Sequence, residues 1–174
     1  MTKKILVLFV AFVLAIGWTM FDPRAAQSSV EEKGVPMIVQ SFASKELRAG
    51  GVWKVYLKAS DPEGKMRYIF ATITQPGVGI YPVSILRIKG ENQKELSGYI
   101  YLNTAPALPT EFFNLTLTLA VNIQGKGGVF SQPVVFPLSF SPQPGREAPP
   151  DGVFKEQNLG PIMITLRTTS GKRG

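Results

Sequence analysis

Residues 113–123 read FNLTLTLAVNI, and apolar side chains alternate along this stretch with small or polar ones. Its apolar positions are Phe113, Leu115, Leu117, Leu119, Val121 and Ile123. Successive side chains of a β-strand point to opposite faces of the sheet, so a period of two gives one wholly apolar face. The stretch therefore predicts a strand at the centre of a sheet, with one face on a hydrophobic core.

Six more strands are predicted between the turn signals on either side of this stretch. They cover residues 37–42, 52–59, 66–74, 83–89, 95–103 and 129–140. The third of these has apolar residues on both faces, which leaves its orientation open. The last carries Pro133 and Pro137, which cannot donate to a ladder, so we expect an edge or bulged strand there. Seven short strands with regular turns predict an all-β fold, a seven-stranded antiparallel β-sandwich over residues 36–140.

Two of these strands divide clearly into an inward and an outward face. The inward positions of the strand at 52–59 are Trp53, Val55, Leu57 and Ala59. The outward positions of that strand and of the strand at 95–103 include Lys54, Tyr56, Lys58, Tyr99 and Tyr101. Outward tyrosines beside lysines can stack on sugars or form a protein interface, so these five residues are the predicted ligand-binding face. The alternative is that the tyrosines are covered by the other sheet, the linker or the C-terminal strand.

The N-terminus has the pattern of an export signal. Lys3 and Lys4 precede an unbroken apolar run over residues 5–16, which matches the charged and apolar regions of a secretory signal. Extending the run to residues 5–21 brings it close to the lower limit for crossing a bilayer. We therefore expect an apolar helix over residues 1–21, either a signal peptide or a membrane anchor, and a linker over residues 22–35. The expected location is the bacterial periplasm or exterior, with a tether in the inner membrane as the alternative.

The composition excludes many kinds of site. The chain of 174 residues has no Cys and no His, so it can form no Ser-His-Asp triad, thiol nucleophile, disulfide or zinc finger. An exported chain without disulfides is typical of a bacterial envelope protein. Its formal net charge of +7 is compatible with anionic envelope polymers or lipid head groups; the alternative is a mildly basic soluble protein. We expect no enzymatic activity, no catalytic residues, no cofactor and no nucleic-acid partner, and we expect an envelope protein or a polysaccharide as partner.

Two turn motifs carry a resemblance to a known group of modules. Residues 58–65, KASDPEGK, resemble the end of the second strand and the following loop in bacterial immunoglobulin-like and cadherin-like modules. Residues 122–133, a Gly-rich loop followed by FSQP, resemble the last hairpin of such modules. The resemblance spans about residues 35–141. It implies an immunoglobulin-like β-sandwich used as a spacer, an adhesive module or a binding module.

Asp61 and Glu63 are the candidate metal ligands. The resemblance implies this role, because acidic loops of cadherin-like modules bind calcium. Calcium takes six to eight oxygen ligands, usually from several carboxylates, so other loops would have to contribute. The alternative is a structural turn in which these side chains bind the backbone. The same pair as the acid and base of a glycoside hydrolase is the least favoured interpretation.

The C-terminal part begins with a Pro-rich linker over residues 141–152 and continues as a strand and basic tail over residues 153–174. The strand is predicted at residues 162–166, where Ile162, Ile164 and Leu166 would face a partner sheet. Such a strand can add to an edge of its own sandwich or to an edge of another subunit. The second arrangement would build a homo-oligomer by strand exchange.

The leading hypothesis is a non-enzymatic, exported binding or structural module of the bacterial envelope, acting through the sandwich surface and its edge strands. One alternative is a carbohydrate-binding module that uses the outward tyrosines. Another is a strand-exchanging subunit of an extracellular fibre or complex.

Overall fold

Residues 34–105 and 115–167 are described by the computed structural model. They form two β-sheets that enclose a single apolar core. The predicted signal peptide or anchor, most of the linker after it and the last seven residues of the basic tail lie outside the described residues. Among those described, no helix is both long enough and apolar enough to span a bilayer.

The first sheet, sheet A, contains four strands. They are β1 (Met37–Ala43), β3 (Val52–Ser60), β7 (Glu95–Asn103) and β10 (Asn158–Pro161). Their order across the sheet is β1-β3-β7-β10. The first three strands pair antiparallel, whereas β10 joins the free edge of β7 in the parallel direction. The C-terminal part of the chain therefore completes a sheet that the middle of the chain begins.

The second sheet, sheet B, contains six strands. They are β2 (Glu46–Leu47), β4 (Met66–Gln75), β5 (Gly79–Ile80), β6 (Ser84–Arg87), β8 (Thr116–Gly125) and β9 (Val134–Phe140). Their order is β2-β9-β8-β4-β5, and β6 also pairs with β4. A 3₁₀ turn at Gly90–Asn92 connects β6 to β7. The antiparallel group β1-β3-β7 packed against β9-β8-β4 is the immunoglobulin-like arrangement of two sheets, and β10 lies in the edge position beside β7.

The prediction of an all-β, immunoglobulin-like sandwich is confirmed. Each of the seven predicted strands has a counterpart, and β8 lies in the interior of its sheet as expected. The last predicted strand was placed too early, because residues 129–133 form a loop and β9 begins only at Val134. Pro137 lies opposite Thr118 of β8, and the short strand β2 pairs only with the last two residues of β9. The rest of β9 is a sheet edge, which suits Pro137 because proline has no N–H to donate to a further strand. The pairs β2·β9 and β10·β7 are parallel, so the sandwich is not purely antiparallel.

The core is formed by the inward positions of both sheets. From sheet A it includes Trp53, Val55, Leu57, Ala59, Leu96, Ile100 and Leu102, and from sheet B it includes Ile69, Ala71, Ile73, Leu117, Leu119, Val121 and Ile123. The indole N–H of Trp53 donates to the carbonyl oxygen of Ser44 at 2.8 Å, which satisfies its polar atom at the edge of the core. The predicted core position of Trp53 is correct.

Leu119→Ala tests this packing. Leu119 is fully buried at the centre of β8, so its truncation leaves a cavity and should lower the free energy of unfolding by about 2–5 kcal/mol. The matched control is Thr118→Ala, at an exposed position of the same strand, which we expect to change stability by less than ~0.5 kcal/mol. Urea denaturation of the two variants measures both values, and equal losses would contradict the assignment of the faces.

Candidate functional site

The predicted ligand-binding face lies on the outer side of sheet A, and most of it is covered by the chain itself. Tyr56 and Tyr99 are directly opposite each other on β3 and β7, with ring centroids 5.6 Å apart. Although Tyr56 points away from the core, it is only 6% exposed. Phe154 packs on its ring at a centroid distance of 5.6 Å. The segment after the Pro-rich linker therefore covers this aromatic pair.

Glu156 joins the same covering segment to the lysine of that face. Its Oε1 accepts a hydrogen bond from the Tyr56 hydroxyl at 2.6 Å, and its Oε2 accepts one from Lys54 Nζ at 2.9 Å. Lys54 Nζ also lies 4.2 Å from the centroid of the Tyr99 ring, a cation–π distance. A sugar or protein that stacked on these tyrosines would have to displace Glu156 and Phe154.

The ionisation of this group reflects its contacts. The hydrogen bonds from Tyr56 and Lys54 hold the pKa of Glu156 below its ordinary value. The hydrogen bond to Glu156 raises the pKa of Lys54, while burial and then the hydrogen bond to Glu156 raise the pKa of Tyr56. All three directions favour an anionic Glu156, a cationic Lys54 and a neutral Tyr56. The group therefore stabilises the covered arrangement at neutral pH.

The two remaining residues of the predicted face lie at its margins. Lys58 is exposed and lies opposite Ser97. Tyr101 lines an open depression of about 450 Å³, together with Asn103 and residues 161–165. The structure thus brings Lys54, Tyr56 and Tyr99 together under a cover and leaves Lys58 and Tyr101 outside it. The predicted ligand-binding role of these residues stays a prediction.

Residues 153–167, which we call the clasp, bind both sheets through their backbone. The Tyr99 N–H donates to the carbonyl of Gln157 at 2.8 Å, and the Ile162 N–H donates to the carbonyl of Tyr101 at 2.7 Å. The next amide, that of Met163, donates to Ser84 Oγ of sheet B at 2.8 Å. The chain therefore leaves sheet A at this point and crosses to sheet B, so that it closes the side of the sandwich between β7 and β6.

A buried polar pair of side chains holds the end of the clasp. Gln75 and Tyr81 are both buried, and the Tyr81 hydroxyl donates to Gln75 Oε1. The Arg167 N–H donates to Tyr81 Oη at 2.8 Å, and Gln75 Nε2 donates to the Arg167 carbonyl at 2.7 Å. Both backbone polar groups of Arg167 are thus paired with buried side chains, which anchors this part of the clasp to the sandwich. Neither Gln75 nor Tyr81 stood out in the sequence, because the contact joins residues about 90 positions apart.

The predicted C-terminal strand is displaced. It was expected at residues 162–166, whereas β10 spans Asn158–Pro161. The ladder ends there because Met163 bonds to sheet B instead of continuing along β7. Ile162 is nevertheless buried in the core, and Ile164 and Leu166 pack partly buried against it. The three residues therefore contact their own sandwich; strand exchange would make the same contacts between two copies and stays a prediction.

Two glycines allow the clasp to approach closely. A Cβ on Gly98 of β7 would lie 2.4 Å from the Gln157 carbonyl oxygen and 2.9 Å from Leu159 Cγ. Gly160 has a φ of +135°, and a Cβ there would lie 2.7 Å from Leu86 Cδ2. A side chain at either position would overlap atoms of the docked clasp or of sheet B. These two positions explain how an added segment fits so tightly against β7.

The candidate metal ligands form a backbone turn. Asp61 is fully buried, its Oδ1 accepts from the Glu63 N–H at 2.9 Å, and its Oδ2 accepts from the Lys65 N–H at 3.1 Å. Glu63 forms an ion pair with Lys65. Within the described residues, no group of three or more acidic, His or Cys side chains is placed to hold a metal ion. The two residues thus take part in a backbone turn, and their role as metal ligands stays a prediction.

The outer face of sheet B carries an apolar and aromatic surface that the sequence predictions missed. We call it the open face, and its residues are Tyr68, Phe70, Ile85, Phe130 and Val135. Phe70 is opposite Ile85 in the sheet, and its ring meets that of Phe130 edge to face at 5.1 Å. Ile85 and Val135 are each 59% exposed and Phe130 is 43% exposed. The signal for this surface was present, since the strand at 66–74 is apolar on both faces, but the sequence alone did not show which face was exposed.

Gly98→Ala should displace the clasp. The added methyl overlaps the Gln157 carbonyl, and overpacking of this kind should lower the free energy of unfolding by about 1–3 kcal/mol. Limited trypsin digestion should then cleave after Lys155 and Arg167 faster than in the unchanged chain. The control is Gly90→Ala, where a Cβ meets no atom within 4 Å. Identical digestion of the two variants would contradict the docked position of the clasp.

Glu156→Gln should change the response of the fold to acid. Because the folded chain lowers the pKa of Glu156, its ionic contacts stabilise the fold fully above the ordinary value of 4.5 and less as pH falls through the lowered value. The melting temperature of the unchanged chain should exceed that of the variant at neutral pH. This gap in melting temperature should narrow in acid. Glu91→Gln, in the exposed 3₁₀ turn, should show no such narrowing. A gap that stayed constant down to strongly acidic pH would contradict this role of Glu156.

Comparison with known proteins adds one structural similarity. No protein-family model matches the chain, and no curated protein is similar to it. Among solved structures, the chain is similar to the CARDB domain of a Pyrococcus furiosus protein, solved in complex with di-metal ions. The match has 6% sequence identity and a TM-score of 0.33, and it covers 62% of this chain and 86% of the other. The fold class of this chain rests on the sheets described above.

Proposed function

We propose that this chain is a non-enzymatic, exported module of the bacterial envelope that works by binding a partner through the open face. The observation that carries the proposal is the difference in solvent exposure between the outer faces of the two sheets. The clasp covers Tyr56 and the paired Tyr99 on sheet A, whereas Ile85, Phe130 and Val135 of the open face remain in contact with solvent. Exposed apolar patches on soluble domains commonly mark interaction sites.

Export and the lack of catalysis are supported by the sequence. The apolar run over residues 5–16 after two lysines is typical of a secretory signal or anchor. A chain without His or Cys has few side chains for nucleophilic or acid–base chemistry at neutral pH. The candidate acid–base pair of Asp61 and Glu63 is engaged in a turn, with both Asp61 oxygens bound to backbone amides. A binding role fits these residues better than a hydrolytic one.

The carbohydrate-binding alternative on sheet A has less support than the open face. Its central residue, Tyr56, lies beneath Phe154 and donates its hydroxyl hydrogen bond to Glu156. Sugar-binding platforms present aromatic rings to solvent, and among the described residues the most exposed aromatic ring is that of Phe130 in the open face. We therefore assign the proposed binding surface to the open face of sheet B.

Oxidative footprinting tests the proposed surface. Hydroxyl radicals label exposed aromatic side chains, so binding through the open face should reduce the oxidation of Phe130, Phe70 and Tyr68 in the native envelope relative to the purified chain. Tyr101, on the outer side of sheet A, is the control and should be oxidised equally in both. Protection of Tyr101 without protection of Phe130 would overturn the assignment.

A further inference from the structure

We infer that the partner of the open face is the surface of a lipid bilayer that contains anionic lipids. This inference rests on the proposed function, since it names what the proposed surface binds. It follows from three features of the described residues: the kind of apolar side chain exposed, the distribution of charge on sheet B, and the end of the sandwich at which the described chain begins.

The exposed side chains favour an apolar partner over a sugar. Ile85, Val135 and the nearby Ile80 are aliphatic, and Ile80 is 73% exposed. Aliphatic groups form no hydrogen bonds and gain free energy only when they leave water for an apolar environment. Val129 and Phe130 add to this surface from the loop that follows β8. The interfacial region of a bilayer accepts such side chains without a shaped pocket.

The charge of sheet B is complementary to anionic head groups. The strands β4, β5, β6, β8 and β9 contain no Asp or Glu, and neither do the loops over residues 76–83 and 126–133. Arg87 lies opposite Tyr68 on the open face, and Lys126 is exposed beside Val129 and Phe130. The acidic residue of sheet B is Glu46, at the far end in β2, where its carboxylate accepts from the Gly145 N–H. Cations bordering an apolar surface are attracted by the negative potential of anionic lipids.

The described chain begins at the end of the sandwich where β8 turns toward Phe130. The ring of Pro36 lies against Gly125, where a Cβ would be 3.0 Å from Pro36 Cγ. Gly125 begins the turn that leads to Phe130, and its N–H donates to the Val129 carbonyl at 2.8 Å. The predicted anchor at residues 5–21 is joined to the described chain at this end. When one contact already holds a chain to a membrane, a second contact through the open face needs only weak affinity.

Site-specific labelling of the full chain in vesicles tests the inference. Since the chain has no Cys, single variants Ile85→Cys and Val135→Cys can each carry one environment-sensitive fluorophore on the open face. The matched control is Val39→Cys, a 48% exposed position on β1 of sheet A, close in the chain to Pro36. The probes are vesicles of phosphatidylcholine alone, vesicles that also contain phosphatidylglycerol, and soluble polyglutamate.

The expected result is a blue shift and an intensity gain at Ile85→Cys and Val135→Cys with the anionic vesicles, and little change at Val39→Cys. Equal responses at all three positions would mean that the tether alone brings the chain to the membrane, and this would overturn the inference. No response at Ile85→Cys and Val135→Cys would overturn it as well. A response to polyglutamate without one to vesicles would also overturn the lipid assignment while leaving the proposed binding role of the open face intact.

Removal of single charges gives a second measurement. Arg87→Ala and Lys126→Ala should each lower the ratio of molecules docked through the open face to undocked molecules on anionic vesicles. The expected decrease is about fivefold, the equivalent of ~1 kcal/mol per basic residue near such a surface. Arg48→Ala removes the same charge from the exposed turn between β2 and β3, outside the open face, and should leave the ratio unchanged. Equal losses in Arg48→Ala and Arg87→Ala would show attraction by net charge alone and would contradict docking through the open face.

Discussion

Docking of the clasp on both sheets is the interaction on which the rest of the structure depends. Without it, β7 would be an edge strand and the side of the sandwich near β6 would open onto the core. Burial of Ile162 in that core should contribute roughly 1.5–3 kcal/mol, and each hydrogen bond from the clasp to β7 or Ser84 contributes about 1 kcal/mol. These terms are a large share of the stability of a small domain, so the domain includes its C-terminal segment as a structural element rather than a tail.

The clasp also decides which surface is available to a partner. Strand side chains alternate, so each sheet has one face in the core and one face outside. On sheet A the outside face is engaged by Phe154 and Glu156. On sheet B the outside face keeps Phe130 and its neighbours in contact with solvent. The chain thus satisfies one aromatic pair internally and leaves the aromatic residues of the other outer face exposed, and the exposed face is the proposed binding surface.

The parts of this structure that follow from local pattern could be predicted from the sequence, and the parts that depend on distant contacts could not. The period of two placed Leu119 and Trp53 in the core and gave the seven main strands. The same pattern showed that Tyr56 points outward, but it contains no information on Phe154, which reaches Tyr56 from about 100 positions further along the chain. The two-residue strands β2 and β5 are too short to have a pattern, and both depend on pairing with a longer strand.

The C-terminal prediction identified the residues that pack inward but misplaced the strand. Ile162, Ile164 and Leu166 pack against the core, as their alternation indicated, whereas the residues that pair with β7 are Asn158–Pro161. Gly98 lets the clasp come close to β7 there. The need for a glycine at this position could not be predicted from the sequence, because it depends on the distant segment that packs against it.

Hydrogen exchange of the full chain, followed amide by amide, tests the central claim most directly. If the clasp is docked in the free molecule, the amides of Tyr99, Ile162 and Arg167 should exchange nearly as slowly as those at the centre of β8, because each is hydrogen-bonded to or from the clasp. Exchange of these three amides at the rate of the exposed Gly152 amide would mean that the clasp is undocked. The outer face of sheet A would then be as open as that of sheet B, which would contradict the role of the clasp in closing the sandwich and in selecting its binding surface.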